Sequence, residues 1–271
     1  MSSQSTSSPS AAARRVLITG ASGGIGYELA KLFAADRWDL VLAARSGDKL
    51  SAIAGELSAA HRVHVQTVPI DLCQPGAARQ LVDASHSSGH PLTALVNNAG
   101  FGVFGPFAES DLMVVDQLIQ LNIAVLTDLT RLALPEMVAQ RHGYILNVAS
   151  LAAFQPGPLM AVYYASKAYV LHFSEAIAEE LDGTGVRVTA LCPGPTETGF
   201  VQRAAMKGSK LFERGVMSAQ DVAKGGYEGL LHGKRVVIPG FKNKLLSTSV
   251  RFAPRILAAK IAKAMQERRS R

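Results

Sequence analysis

The chain alternates two kinds of hydrophobic pattern along most of its length. Short, mostly apolar runs predict buried strands, and longer segments with an apolar residue every three or four positions predict helices. The predicted strands are residues 15–19, 40–43, 64–70, 94–96, 144–148, 186–191 and 235–238. The predicted helices are residues 25–33, 48–60, 110–140, 161–181 and 218–231. Apolar strands separated by helices are typical of a parallel sheet covered on both faces, so we predict one doubly wound α/β domain with seven strands.

A glycine-rich loop lies between the first predicted strand and the first predicted helix. Glycine there permits a tight turn and lets the backbone approach a pyrophosphate, while the helix N-terminus offers its free N–H groups. The alternative is a glycine-rich turn without a ligand, but the strand and helix around it favour a dinucleotide site. The candidate phosphate-binding residues are Gly20, Ser22, Gly24, Ile25 and Gly26.

The end of the second strand predicts which nicotinamide dinucleotide binds. An acidic residue at this place would bond the ribose 2′-hydroxyl of NAD, whereas an arginine accommodates the 2′-phosphate of NADP. The sequence has Arg45 there and no acid. A solvated surface arginine is the alternative. We therefore predict that NADP is preferred over NAD.

Tyr163 and Lys167 are four residues apart and share one face of a predicted helix. A phenol with an ordinary pKa near ~10 is a poor acid–base catalyst at neutral pH. An adjacent ammonium and the positive nicotinamide ring would stabilise the phenolate and lower that pKa. Ser150, at the end of the fifth strand, can donate a hydrogen bond to the substrate oxygen. Asn147 lies inside that strand and is expected to be structural.

Several motifs, taken together, resemble those of the short-chain dehydrogenase/reductase family. They are Gly20-x-x-x-Gly24-x-Gly26, Asn97–Gly100, Asn122, Ser150, Tyr163-x-x-x-Lys167 and Pro193–Thr196, in the family's order. The resemblance implies a catalytic domain over residues 14–240. It implies that Tyr163 is the proton donor and acceptor, that Lys167 also bonds the nicotinamide ribose, and that Asn122 fixes a water behind Lys167.

The resemblance also assigns residues to the remaining parts of the cofactor. It places Asp71 and Leu72 near the adenine, and Asn98, Ala99 and Gly100 against the adenine ribose. The nicotinamide carboxamide would be held by Pro193, Gly194, Thr196 and Thr198. The family commonly pairs its long helices across subunits, which implies a homodimer or homotetramer.

Two uncharged segments should border the substrate pocket. One is residues 100–105, and the other carries Phe154, Pro156, Leu159 and Met160. They favour an apolar carbonyl or alcohol substrate, although these aromatic residues could merely pack the loops. Residues 199–215 are expected to form a mobile lid.

The net charge of +7 is unevenly distributed. Residues 234–271 carry eleven Lys or Arg and one Glu, an excess of +10, so residues 1–233 carry −3. The basic residues therefore belong to the C-terminal segment, which argues against a nucleic-acid cleft in the body. Residues 1–13 are uncharged and rich in Ser, Ala and Pro, and are expected to be disordered.

Other features of the sequence bear on where the protein works. No uninterrupted apolar run approaches ~18 residues, so we expect no membrane-spanning segment. Two cysteines suit a reducing compartment, and we expect a cytoplasmic protein. No His or Cys residues stand at metal-ligand spacing, and we expect no metal.

The segment after Pro254 predicts a basic amphipathic helix within an extension of residues 241–271. Leu257, Ile261, Ala264 and Met265 fall on one side, and Arg255, Lys260 and Lys263 mostly on the other. Such a helix can lie on an anionic membrane surface. The favoured alternative is that it docks on its own or a partner subunit with its lysines in solvent, since the apolar stripe is modest.

These observations predict an NADP(H)-dependent oxidoreductase that interconverts a ketone or aldehyde and an alcohol on a lipophilic small molecule. Two alternatives are a nucleotide-binding regulator with the same fold and no turnover, and a membrane-surface scaffold that uses the basic tail. The combination of Asn122, Ser150, Tyr163 and Lys167 argues against the regulator, because a sensor has no need of a phenol beside an ammonium.

Overall fold

A parallel sheet of seven strands forms the centre of the molecule. The computed structural model describes residues 14–86, 90–199, 216–250 and 254–266. The strands in chain order are β1 (Arg15–Thr19), β2 (Asp39–Ala44), β3 (Val65–Pro69), β4 (Ala94–Asn97), β5 (Gly143–Val148), β6 (Val186–Leu191), β7 (Thr196–Glu197), β8 (Met217–Ser218) and β9 (Val236–Val237). The main sheet has the order β3-β2-β1-β4-β5-β6-β9, and β7 and β8 form a separate pair.

Helices cover both faces of this sheet. They are α1 (Gly24–Ala35), α2 (Gly47–His61), α3 (Ala77–Ser85), α4 (Leu112–Ile119), α5 (Leu126–Ala139), α6 (Ala161–Glu180), α7 (Ala219–Leu231), α8 (Phe241–Ser249) and α9 (Arg255–Gln266). The doubly wound α/β fold predicted from the hydrophobic pattern is confirmed. Each predicted strand is present, with ends that differ by at most about two residues.

Side chains of β1 show why the strands read as wholly apolar. Val16 and Ile18 pack into the core on the side of α1 and α7, and Leu17 packs on the opposite side with α3 and α5. Successive residues of a strand point to opposite faces, and here both faces are covered. A central strand of this sheet therefore has no polar face.

The long helix predicted over residues 110–140 is interrupted. A π-helical segment, Gln120–Val125, separates α4 from α5. The hydrophobic pattern gives no sign of this change, because one wide turn shifts the apolar positions only slightly. The sequence also did not predict α3, α8 or the β7–β8 pair. Strand pairs of two residues are too short to carry a periodic signal.

Together, α4, the π-helical segment and α5 span Leu112–Ala139, which is by length and composition apolar enough to cross a membrane. Leu129, Ala133 and Met137 along it are buried in the core that covers one face of the sheet. A core helix of an α/β domain meets the same criteria. The expectation that no segment spans a membrane stays a prediction.

A buried polar network ties β4 and β5 to the helices behind them. The Asn97 Nδ2 group donates to Thr130 Oγ1 at 3.0 Å and to Asn147 Oδ1 at 2.9 Å. The Asn147 Nδ2 group donates to Ser174 Oγ at 2.9 Å. All four side chains are buried, and buried amides need such partners. Asn147 therefore holds the ends of two strands in place.

Two of the expected segments lie outside the described residues. These are residues 1–13 and, apart from Gly199, the expected lid of residues 199–215. The division of the chain at residue 240 stays a prediction.

Candidate active site

A large cleft opens at the carboxyl ends of the strands. Its volume is about 1450 Å³, which exceeds the ~300–1,000 Å³ typical of a site for one drug-sized ligand. The predicted site residues line it, apart from Gly26 and Asn122. The residues predicted from the sequence, which are spread between Gly20 and Thr198, therefore lie around one cleft.

The glycine-rich loop has the shape that a pyrophosphate needs. Gly20 and Gly24 have φ angles of 66° and 56°, a conformation that favours glycine. A Cβ on Gly26 would stand 2.5 Å from both the Gly20 carbonyl oxygen and Asn98 Nδ2, so Gly26 allows close packing under the loop. At Gly23 a Cβ would meet nothing within 4 Å, which leaves room above the N-terminus of α1. These residues fit the phosphates of a dinucleotide.

Thr19 joins this loop to the one that follows β4. Its hydroxyl accepts hydrogen bonds from the backbone N–H groups of Asn98 and Ala99, each at 3.0 Å. The Asn98 side chain in turn donates to the Thr19 carbonyl at 2.9 Å. The residues predicted to meet the phosphates and the adenine ribose therefore form one hydrogen-bonded unit.

Three candidate catalytic side chains meet where β5 ends and α6 begins. Ser150 follows β5, and its hydroxyl oxygen accepts from the Ala152 N–H at 3.1 Å and is hydrogen-bonded to Tyr163. Lys167 is one helical turn beyond Tyr163, with its Nζ atom 5.9 Å from the centre of the Tyr163 ring. The Lys167 ammonium donates to the Val148 carbonyl at 2.7 Å. This bond holds the lysine in the floor of the cleft.

Without a bound cofactor, burial has the largest effect on the pKa values of Tyr163 and Lys167. It lowers the pKa of Lys167 from 10.5 to about 8. It also raises the pKa of Tyr163, and the Ser150 hydrogen bond opposes that rise. The sequence prediction was a Tyr163 pKa lowered by the ammonium and the nicotinamide ring together. The lysine alone, at 5.9 Å from the ring centre, does not outweigh the loss of water.

Asn122 lies behind the cleft rather than in it. It is buried in the π-helical segment, where its Nδ2 group donates to the Phe101 carbonyl and to Ser166 Oγ, each at 3.0 Å. Its Oδ1 atom accepts from the Phe101 N–H at 3.2 Å. Gly100 separates it from Lys167, since a Cβ there would be 3.0 Å from Asn122 Oδ1 and 3.5 Å from Lys167 Nζ. In this geometry Asn122 fixes the loop beside the lysine.

The sequence of residues 14–207 matches the family model described as short chain dehydrogenase. The match covers well over half of the chain and every candidate site residue. The chain belongs to the short-chain dehydrogenase family.

Relatives and solved structures agree with this membership. The chain is 31% identical to the ketoacyl reductase HetN of Nostoc sp., over 89% of this chain and 79% of that protein. It is 38% identical to sulfoacetaldehyde reductase 2 of Chromohalobacter salexigens, over 68% and 73% of the two chains. A short-chain dehydrogenase from Sphingobium yanoikuyae, solved in complex with NADPH, superposes with a TM-score of 0.80 at 31% identity, covering 88% and 94%. This short-chain dehydrogenase is therefore an oxidoreductase whose fold binds NAD or NADP.

Where the adenine end of the dinucleotide is predicted to bind, two cationic side chains line the cleft of this short-chain dehydrogenase. Arg45 follows β2 as predicted, and Lys49, in the first turn of α2, lines the same end. The sequence analysis missed Lys49. Its position four residues after Arg45, at the start of a helix, was the signal that could have found it.

The substrate end of the dehydrogenase cleft differs in part from the prediction. Phe101, Phe154 and Met160 line it, but Phe104, Pro156 and Leu159 do not. Leu159 instead accepts a backbone hydrogen bond from Gly105 at 2.9 Å, which ties the two predicted segments together outside the cleft. Fewer than half of the predicted apolar residues therefore line the cleft.

Further lining residues come from parts of the chain that the sequence analysis did not connect to the site. They are chiefly Tyr164, Phe241, Leu246, Val250, Ala262 and Met265. Tyr164 follows the catalytic candidate but has no lysine four residues on. It faces the cleft, and its pKa is raised by burial, opposed by a contact with the buried Gln266 side chain. Most of these residues belong to α8 and α9, which roof the cleft.

Helix α9 docks on its own subunit, but through an unexpected row of residues. The helical-wheel prediction grouped Leu257, Ile261, Ala264 and Met265 as the apolar side. The structure buries Ala258, Ala262 and Gln266 instead, which are spaced by four residues. Small alanines let the helix come close to the body, whereas the larger residues beside them remain exposed. The row that contacts the body is therefore one position further along the helix than the apolar side of the wheel, and of that apolar side Met265 lines the cleft.

Proposed function

We propose that this short-chain dehydrogenase is an NADP(H)-dependent reductase that interconverts a ketone or aldehyde and an alcohol on a lipophilic small molecule. The observation that carries the proposal is the meeting of Ser150, Tyr163 and Lys167 beside a glycine loop with room for a dinucleotide. The relatives reported above are named as reductases, so they lend no support to a nucleotide-binding regulator without turnover.

Each of the three side chains has one part in the proposed reaction. When bound, the nicotinamide ring supplies or accepts the hydride. Tyr163 gives its hydroxyl proton to the substrate oxygen during reduction and takes it back during oxidation. Ser150 donates a hydrogen bond to the same oxygen as negative charge develops there. Lys167 stabilises the phenolate left on Tyr163, which opposes the effect of burial on that pKa.

Replacement of Tyr163 tests this assignment. Tyr163→Phe keeps the ring but removes the proton, so we expect turnover to fall by at least about 10²-fold while the Kd for the cofactor changes only a few-fold. The matched control is Tyr164→Phe, which removes a phenol from the next position in the same cleft. This control should keep turnover on a small ketone. Wild-type turnover in Tyr163→Phe, measured from nicotinamide absorbance, would show that another group moves the proton.

The preference for NADP rests on Arg45 and Lys49 at the adenine end of the cleft. A charge-assisted contact to a 2′-phosphate contributes about 1.5–3 kcal/mol, or about 10- to 150-fold in Kd. We expect Arg45→Ala to remove most of the preference for NADPH and to leave NADH binding little changed. Arg79→Ala, at an exposed position on α3, is the control. Equal wild-type affinity for NADPH and NADH would refute the role of Arg45.

An apolar substrate is supported by the residues that surround the cleft beyond Ser150. Phe154, Met160, Leu246 and Val250 line this end. We expect turnover on long-chain or bulky ketones to exceed turnover on short charged aldehydes. A substrate panel that contains both kinds, including sulfoacetaldehyde, measures this preference. A preference for the charged aldehydes would disprove the lipophilic assignment and leave the Tyr163 assignment untouched.

A further inference from the structure

The two C-terminal helices, α8 and α9, expose an unusual set of large apolar side chains. On α8, Phe241 is 81% exposed and Leu245 is 63% exposed. On α9, Ile256 is 75% exposed, and Leu257 and Ile261 are about half exposed. Single exposed apolar residues are ordinary, but a concentration of them within 26 residues marks an interaction surface.

Helix α9 packs on the body mainly through a different row of residues from the exposed apolar row of Leu257 and Ile261. Ala258 and Ala262 are buried, and Leu257 and Ile261 each precede one of them by a single position. Because adjacent positions are about 100° apart around a helix, Leu257 and Ile261 lie beside the docked row, and each is about half exposed. A substantial part of the Leu257 and Ile261 side chains is therefore available to a partner.

The charges on α8 and α9 indicate which kind of partner this surface can bind. Lys242, Lys244, Lys260 and Lys263 are exposed on the same two helices. The sequence from 241 to 266 contains no Asp or Glu. A second copy that met this surface about a two-fold axis would bring like charges together. An anionic partner with an apolar interior matches both the lysines and the apolar row.

This surface also surrounds the entrance to the cleft. Phe241, Leu246 and Met265 line the cleft and are at the same time exposed to solvent. They come from both helices, so the two exposed faces meet at the cleft mouth. A molecule held against α8 and α9 would be next to the route into the active site.

We propose that α8 and α9 form a docking surface for an anionic lipid bilayer, and that the enzyme takes its lipophilic substrate from that side. The second part rests on the proposed function. The apolar side chains enter the boundary between headgroups and acyl chains, and the lysines contact the headgroups. Each lysine contributes to an attraction that salt screens within about 8 Å at physiological ionic strength.

Sedimentation with vesicles tests the surface on the full chain. We expect binding to vesicles that contain phosphatidylglycerol, little binding to pure phosphatidylcholine vesicles, and release at high salt. Two variants outside the cleft, Leu257→Ser/Ile261→Ser and Lys260→Glu/Lys263→Glu, should each weaken binding by at least about tenfold. The matched control is Leu112→Ser/Met113→Ser, which removes exposed apolar residues from α4. The control should bind as the wild type does.

Two further measurements separate the possible failures. Both variants should keep wild-type turnover on a small soluble ketone, and their apparent KM for a ketone dissolved in anionic vesicles should rise. Unchanged vesicle binding in both variants would overturn the docking surface. Loss of a dimer in light scattering on substitution of Leu257 and Ile261 would also overturn it and assign the face to a second copy. Absence of turnover on every ketone would refute the proposed function, while the sedimentation result would stand.

Discussion

We expect the buried ammonium of Lys167 to lower the free energy of unfolding of the enzyme without cofactor, and the Lys167→Met variant measures by how much. Burial lowers the pKa of this lysine from 10.5 to about 8. A difference of that size corresponds to about 3 kcal/mol of lost folding free energy when the ammonium is charged in both states. The variant keeps the aliphatic volume but loses the hydrogen bond to Val148, which costs about 1–2 kcal/mol. We expect a net gain of about 1–2 kcal/mol at pH 7, together with loss of turnover.

The difference in unfolding free energy between the wild type and Lys167→Met should change with pH in a defined direction. Below pH 8 the lysine is charged in both the folded and the unfolded chain, so the wild type bears the full penalty. Between about pH 8 and pH 10.5 the folded chain releases the proton while the unfolded chain keeps it, so wild-type stability rises relative to the variant. The variant should therefore lose its advantage at about pH 9 and be the less stable protein at pH 10, because the neutral lysine bears no burial penalty and keeps its hydrogen bond to Val148.

Urea unfolding without cofactor at pH 7, 8, 9 and 10 measures this difference. The control is Lys234→Met at an exposed position, which should change the free energy of unfolding by less than about 0.5 kcal/mol at any of these pH values. A Lys167→Met protein that is less stable than the wild type at pH 7, by an amount independent of pH, would refute the reasoning.

Three other outcomes are expected. Asn147→Ala should lower the free energy of unfolding by about 2–4 kcal/mol, because it leaves an N–H of Asn97 unpaired in the core. Urea unfolding measures this loss. A loss below about 1 kcal/mol would contradict the role given to the polar network. Gly26→Ala should weaken cofactor binding at least tenfold, because the new Cβ would stand 2.5 Å from the Gly20 carbonyl oxygen. NADPH fluorescence measures the affinity. Wild-type affinity in this variant would show that the loop can shift to make room. Light scattering should show a dimer or tetramer at micromolar concentration, as is usual in the family. A monomer at that concentration would contradict this expectation.

The sequence predicted those parts of the structure that leave a local signal. Each apolar strand and the glycine loop are coded by adjacent residues, so the sheet and the cofactor end of the cleft could be placed without coordinates. Tyr163 and Lys167 could be paired because a helix sets their spacing. Asn122 could be found only by family resemblance, because its partners Phe101 and Ser166 are distant in the sequence.

The substrate end could not be predicted in the same way. Its roof combines Leu246 and Met265 with Phe101 and Phe154, and such contacts are set by how helices pack after the sheet has formed. The helical wheel of α9 also misled, because it ranks residues by hydrophobicity. Docking there depended on size, and the row of Ala258 and Ala262 gave the closer approach.

Helices α8 and α9 line the cleft together with the predicted cofactor residues, and the two parts of the site come from separate segments of the chain. The side chains assigned to the cofactor and the proton all precede residue 199, whereas much of the substrate roof begins at Phe241. We therefore expect substitutions in α8 and α9 to change which molecules are accepted more than they change the proton transfer assigned to Ser150, Tyr163 and Lys167. Exchanging residues 241–271 between relatives should therefore change substrate selectivity while the Ser150, Tyr163 and Lys167 group stays the same.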